Sequence, residues 1–230
     1  MKERLDHLLA RLGYGSRREV KEMVRAGMVE VAGRVWYDEA AKVDAMMVTI
    51  AREPLDHPGR LLLLMHKPEG FVCSHDDGGR LIYSLLPERW QKRNPKLSTV
   101  GRLDRDVSGA ILLTDDGALL HRLTSPKYAI TKLYEATLAE PINPDAIELF
   151  ASGTLMLKGE EKPCLPARLE IVTPTLVHLE LVEGRYHQVK RMFAAIGNRV
   201  VALKRLKFGR AGLNGLGVGE YREILIEEIV

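Results

Sequence analysis

The sequence predicts an α+β protein in two parts. A small helix-and-strand domain covers residues 1–52, a linker covers 53–60, and a larger domain with a mixed, mostly antiparallel sheet covers 61–230. Three observations lead there. Leu5, Leu8, Leu9 and Leu12 recur at helical spacing. A Pro- and Gly-containing charged stretch follows at 51–60 and reads as a boundary. Beyond it come many short apolar runs that do not alternate regularly with helices, which argues against a doubly wound parallel sheet.

The elements follow in order. Gly13 and Gly15 end the first helix, and Ser16 with Glu19 forms a capping-box pattern for a second that stops at Gly27. On that second helix Val20, Met23 and Val24 share an apolar face, while Arg17, Arg18, Lys21 and Arg25 fall in a basic sector beside it. Val29 and Val31 alternate with polar neighbours, Ala32-Gly33 turn, and Val43 to Ile50 suggest closing strands. In the larger part, strands are expected near 61–66, 109–114, 132–138, 168–172, 176–182, 199–206 and 221–226. Helices are expected near 117–123, 143–151 and 187–196.

Composition narrows the function classes. Hydrophobic residues at 46% and charged residues at 28% are globular values. Two cysteines exclude a disulfide scaffold and suit a reducing compartment. The N-terminus lacks a signal-peptide core, and the aliphatic run Leu61 to Met65 is too short to span a bilayer, so a cytoplasmic protein away from membranes is expected. The net charge of +3 conceals segregation. Arg185 to Arg210 holds eight Lys/Arg and no acid, and Arg80 to Arg105 holds seven against two acids. Such patches fit a polyanion ligand, and a solvated face would read the same way.

The chemistry-bearing stretch is Gly101-Arg102-Leu103-Asp104-Arg105-Asp106, a polar loop before the apolar strand Ala110 to Leu113. A carboxylate between arginines beside a buried strand suits a catalytic acid or nucleophile, and equally a loop carboxylate paired with Arg102 or Arg105. No P-loop, dinucleotide glycine pattern or Cys/His cluster at metal spacing occurs, so neither metal nor cofactor is expected.

Residues 3–50, with Arg4-Leu5-Asp6, Ser16-Arg17 and Gly27 to Gly33, resemble an S4-type RNA-binding domain. Gly101-Arg102-Leu103-Asp104, Ser108-Gly109 and Leu113 to Gly117 resemble the signature of RNA pseudouridine synthases, in the branch that carries an S4-like domain in front. Lys67-Pro68-Glu69-Gly70, Lys132-Leu133-Tyr134, Glu183-Gly184-Arg185-Tyr186-His187-Gln188-Val189-Lys190-Arg191-Met192 and Gly219 to Arg222 continue the match in family order. Two departures stand out: His66 replaces the family's usual Asn, and Ser108 its usual Thr.

The resemblance implies isomerisation of uridine to pseudouridine in ribosomal RNA, without cofactor, on a long bent sheet with the cleft across its middle. It points to the small-subunit 16S RNA at uridine 516, in an assembly intermediate; large-subunit 23S RNA and a non-catalytic RNA-binding role are the alternatives. Asp104 would be the essential carboxylate, attacking C1′ or taking the 2′ proton. Lys190, with Arg191 as alternative, would be its cation. Tyr134 would stack on the flipped uracil, and Arg102 would hold the nucleotide out of its stack. Arg185, Arg191 and Lys67 would contact substrate. Lys204, Arg205 and Lys207 would join Arg17, Arg18, Lys21 and Arg25 on RNA phosphates. A monomer is the expected state.

Overall fold

The computed structural model describes residues 2–76 and 78–230; Met1, the first residue of the expected N-terminal domain, lies outside them. The chain divides into two compact units. One comprises Met1–Leu61, Tyr83–Ser98 and Thr114–Gly117, and the other Leu62–Ile82, Thr99–Leu113 and Ala118–Val230.

In the first unit the leucine stripe makes the helix Leu5–Arg11, and the capping pattern makes the helix Arg17–Arg25. The Glu19 amide donates to Ser16 Oγ at 3.3 Å, and the Ser16 amide donates to Glu19 Oε2 at 2.6 Å. Leu5, Leu8, Leu9, Leu12, Val20 and Val24 are fully buried, each worth about 1.5–3 kcal/mol of transfer free energy. They pack with Val29, Val43 and Val48 from the strands. An antiparallel sheet covers them in the order Arg34–Val35, Val29–Val31, Val48–Ile50, Glu53–Pro54. Arg17, Arg18 and Arg25 stay exposed on the far side of the second helix, with Lys21 half-buried.

The stretch 53–60 is not a free linker. Glu53–Pro54 is a strand, Leu55 is buried, and Asp56 accepts from Trp90 Nε1 and pairs with Arg89. Arg93, whose side chain is wholly buried, donates from Nε to Asp115 Oδ2 at 2.9 Å and from Nη1 to His57 O at 3.0 Å; it also bonds Gly59 O. Asp115 Oδ1 accepts the Leu61 amide at 2.8 Å. Proline and charge at 53–60 looked like linker chemistry, but besides the local pairing of Glu53–Pro54, much of what fixes this stretch lies 30 to 60 positions downstream, out of reach of any local reading.

The second unit is built on a nine-stranded mixed sheet. Its main order is Arg168–Thr173, Leu176–Leu181, Lys132–Leu138, Val200–Phe208, Ser108–Thr114, Leu62–Lys67, Tyr221–Glu223. The pairing of Ser108–Thr114 with Val200–Phe208 is parallel; the outer pairs through Leu176–Leu181 and Lys132–Leu138 are antiparallel. Leu176–Leu181 alternates buried Val177, Leu179 and Leu181 with half-buried neighbours, as a strand with one covered face must. Ser108–Thr114 is buried along nearly its whole length and correspondingly reads as a continuous apolar run. Helices Gly117–Thr124, Asp145–Ser152 and Gln188–Ala195 complete the unit, the last two joined by an edge contact of Phe150 with Phe193 at 5.4 Å.

Removing Arg93 would strand a buried carboxylate and two carbonyls. Arg93→Ala is therefore expected to lower the unfolding free energy by about 3–5 kcal/mol, read by urea unfolding. A loss under about 1 kcal/mol would mean that the pair is not a structural clamp.

Candidate active site

The loop that carries Asp104 is held from behind. Lys67 ends the strand Leu62–Lys67 with no exposed surface, and its Nζ donates to Pro68 O at 3.1 Å, Asp104 O at 3.0 Å and Val107 O at 2.8 Å. Burial pushes this ammonium below the ordinary lysine pKa, with nearby acidic groups opposing. The Gly70 amide donates to Arg105 O at 2.7 Å, and the Val107 amide to Asp104 O at 3.1 Å. The loop leads into Gly109 at φ +114°, where a Cβ would lie 2.1 Å from Arg205 O. Only glycine fits, and that close approach sets the strand bearing Arg205 against the loop.

The Asp104 side chain faces a cleft of about 250 Å³ together with Arg102, Tyr134, Arg185, Lys190 and Arg205. Its Oδ2 lies 3.6 Å from Lys190 Nζ, and its Oδ1 lies 3.3 Å from His187 Nε2. Lys190 also grips Asp106, at 2.7 and 2.8 Å, and this holds the Asp106 carboxyl below the usual carboxylate range. Asp106 is mostly solvated, so that contact is screened and cheap to exchange. Lys190 is thus the cation at Asp104. Arg191 turns away, donating to Glu160 Oε1 at 2.8 Å, Tyr186 O at 3.1 Å and Lys158 O at 2.9 Å.

His187 was missed from sequence, where seven scattered histidines gave no reason to single one out. It stands in the left-handed region, at φ +48°, immediately before the helix Gln188–Ala195. That backbone turns its ring toward Asp104 and against Tyr186, the two rings stacked at 3.8 Å. Gln188 fixes the turn by accepting from the Arg185 amide at 2.8 Å and donating to Glu183 Oε1 at 2.6 Å.

Several expected substrate contacts have other work. Lys67 is not in the cleft lining, and its ammonium is spent on loop carbonyls. Arg185 reaches the cleft, but its guanidinium is engaged by Glu183, Lys162 O and Pro163 O. Arg205 was expected on a phosphate-facing surface; it is 3% exposed and bonds Ala110 O at 2.6 Å. Strand alternation turns Leu203 and Arg205 to the cleft and leaves Lys204 half-buried, and a register shift between Arg205 and Lys207 then reverses the phase, so that Lys207 is exposed and Phe208 lines the cleft. Arg102 is exposed where it meets the cleft.

The sequence profile of the RNA pseudouridylate synthases matches residues 61–195, and that of the S4 domain matches 3–48. The chain belongs to the RNA pseudouridine synthase family. It is 42% identical over 231 residues to ribosomal small subunit pseudouridine synthase A of Pasteurella multocida, covering 98% of this chain and 97% of that one. It is also 42% identical over 234 residues to the RNA pseudouridine synthase YtzG of Bacillus subtilis, itself uncharacterised, covering 98% and 96%. A solved pseudouridylate synthase superposes with a TM-score of 0.69 at 37% identity, covering 98% of this chain and 97% of the other.

Within this family the two departures have plain places. His66 is buried, and its Nδ1 is 2.8 Å from Leu216 O; a carbonyl only accepts, so Nδ1 carries the proton. It ties down the C-terminal segment. Ser108 opens its strand in register with Lys204. Among the described residues no three His, Cys, Asp or Glu side chains converge as a metal-ligand set.

Lys67→Met tests whether this lysine positions the loop or binds substrate. Positioning predicts a kcat at least ~10-fold lower with RNA affinity within ~2-fold of wild type, since a small loop displacement is costly to rate. Weakened RNA binding at unchanged kcat would restore it to the substrate contacts.

Proposed function

We propose that the chain converts a uridine of small-subunit 16S ribosomal RNA, that at position 516, to pseudouridine. We place it in the cytoplasm, acting as a monomer on an assembly intermediate in which that strand is accessible. The observation that carries the chemistry is Asp104, set in a cleft with Tyr134 and between Lys190 and His187. The name of the Pasteurella relative supports the choice of small-subunit RNA.

Both candidate routes act through the Asp104 carboxylate, which Lys190 and His187 flank. Asp104 either bonds C1′ or takes the 2′ proton; both routes break the C1′–N1 bond and release uracil as an anion. Tyr134 is placed to stack on the extruded base. Arg102, exposed beside Asp104, is placed to hold the flanking backbone, and extrusion from an irregular RNA costs a few kcal/mol. The exposed Arg17, Arg18 and Arg25 of the S4 domain, with half-buried Lys21, supply phosphate contacts that add affinity without reading sequence. Lys204 and Lys207 extend that role in the second unit.

Pseudouridine mapping of ribosomal RNA from cells lacking the protein tests this directly. One small-subunit uridine is expected to lose its modification, to regain it with wild type, and to stay unmodified with Asp104→Asn. Loss of a large-subunit site would redirect the substrate. Restoration by Asp104→Asn would remove that residue from the chemistry, and no lost site would favour a binding role.

A further inference from the structure

The cleft holds two cations that the chemistry above leaves unused. Lys132 and Tyr134 sit two apart on the strand Lys132–Leu138, so their side chains share a face, and both line the cleft. Arg205 is the register neighbour of Tyr134 on the adjacent strand. The Lys132 ammonium stands 5.5 Å from the Phe208 ring centroid and the Arg205 guanidinium 5.4 Å from the same centroid. Lys132 Nζ reaches Val182 O at 3.4 Å, a long contact for a charged donor. Among the described residues, Arg205 Nη2 is buried with no hydrogen-bond partner.

Among the described residues, neither cation has a carboxylate to itself. Asp104 is held by Lys190 and His187. Glu183, the other acid in the lining, is taken by Arg185 Nε and Gln188 Nε2. Two partly desolvated cations facing a cleft without a counter-ion cost free energy in the resting protein. That cost is recovered when negative charge appears there. An enzyme gains rate from such a site when the charge develops during reaction and is absent from the bound substrate.

We propose that Lys132, backed by Arg205, stabilises uracil as the anion it becomes when detached from C1′. This rests on the reading of Asp104 above. When C1′–N1 breaks, the bonding pair leaves with the base and spreads over N1, O2 and O4. The Lys132 ammonium donates to one of the carbonyl oxygens, and Arg205 holds the local potential positive. When the turned base bonds C1′ through C5, the carboxylate leaves C1′ or returns the 2′ proton. C5 then gives up its hydrogen and N1 takes one, and the charge is discharged. The neighbourhood of Tyr134 places this site at the base; phosphates of a polymer enter by the rim, where Arg102 stands.

Burial and the neighbouring Arg205 push Lys132 down to about 8. The charged groups around it are Arg205 on the next strand, Asp104 and Arg102 on the loop, Glu183 and Arg185 after the strand Leu176–Leu181, and His187 and Lys190 at the helix Gln188–Ala195. A protonated Lys132 is required, so the rate should fall as pH rises through about 8.

The experiment is single-turnover tritium release from 16S RNA carrying [5-³H]uridine, with full-length protein. Lys132→Met is expected to slow release roughly 10²–10³-fold, the usual cost of one charge-stabilising donor, with RNA affinity within ~2-fold. Wild type should lose rate above about pH 8, and Lys132→Arg, which stays charged, should not. Lys132→Met within ~3-fold of wild type would overturn the proposal. So would a wild-type rate that rises through pH 8, which would make the neutral amine a base. No release by wild type on any ribosomal RNA would instead overturn the Asp104 reading and carry this proposal down with it.

Discussion

Burying an ammonium costs several kcal/mol unless its protons find acceptors, and Lys67 finds three, in Pro68 O, Asp104 O and Val107 O. Two of these lie on the loop that presents Asp104. The loop therefore cannot relax without stranding a charge in the interior, and this makes Asp104 a fixed point on an otherwise polar connection. The remaining geometry is arranged about that point. Lys190 approaches from one helix, His187 from the turn before it, and Tyr134 from the strand Lys132–Leu138.

The same economy governs the cleft floor. Gly109 lets the strand Val200–Phe208 come within a distance no side chain would allow. Strand alternation then delivers Leu203 and Arg205 inward, and a register shift just after Arg205 leaves Lys207 in water. One missing Cβ, one two-residue period and one register shift thus decide which member of a basic run faces the chemistry.

Much of the fold was legible because it rests on local periodicity. The leucine stripe at 5–12, the Ser16/Glu19 box and the strands near 109–114, 132–138 and 176–182 appear within a residue or two of their expected places. The family signature located the loop of Asp104 for the same reason, being contiguous. What escaped was decided by distance along the chain. Lys67 looked like a substrate contact because its motif neighbours one; only the fold brings Asp104 O to its amine, 37 positions away. His187 reaches Asp104 through a left-handed turn that no composition rule marks for histidine. Arg205 and Lys204 are adjacent letters in a basic run, and their opposite directions follow from register with Tyr134 and Gly109.

The Arg93–Asp115 pair has a consequence for how the chain is made. The N-terminal unit draws on Tyr83–Ser98 and Thr114–Gly117, so about a quarter of its residues come after strands of the other unit. During synthesis the leucine helices leave the ribosome long before Asp115 exists. The first sixty residues can collapse early, but the segment Asp56 to Leu61 has no finished seat until about twice that length has emerged. Long-range closure of this kind is slow relative to local helix formation. The translating ribosome thus meets a protein whose RNA-binding end is shaped first and locked late.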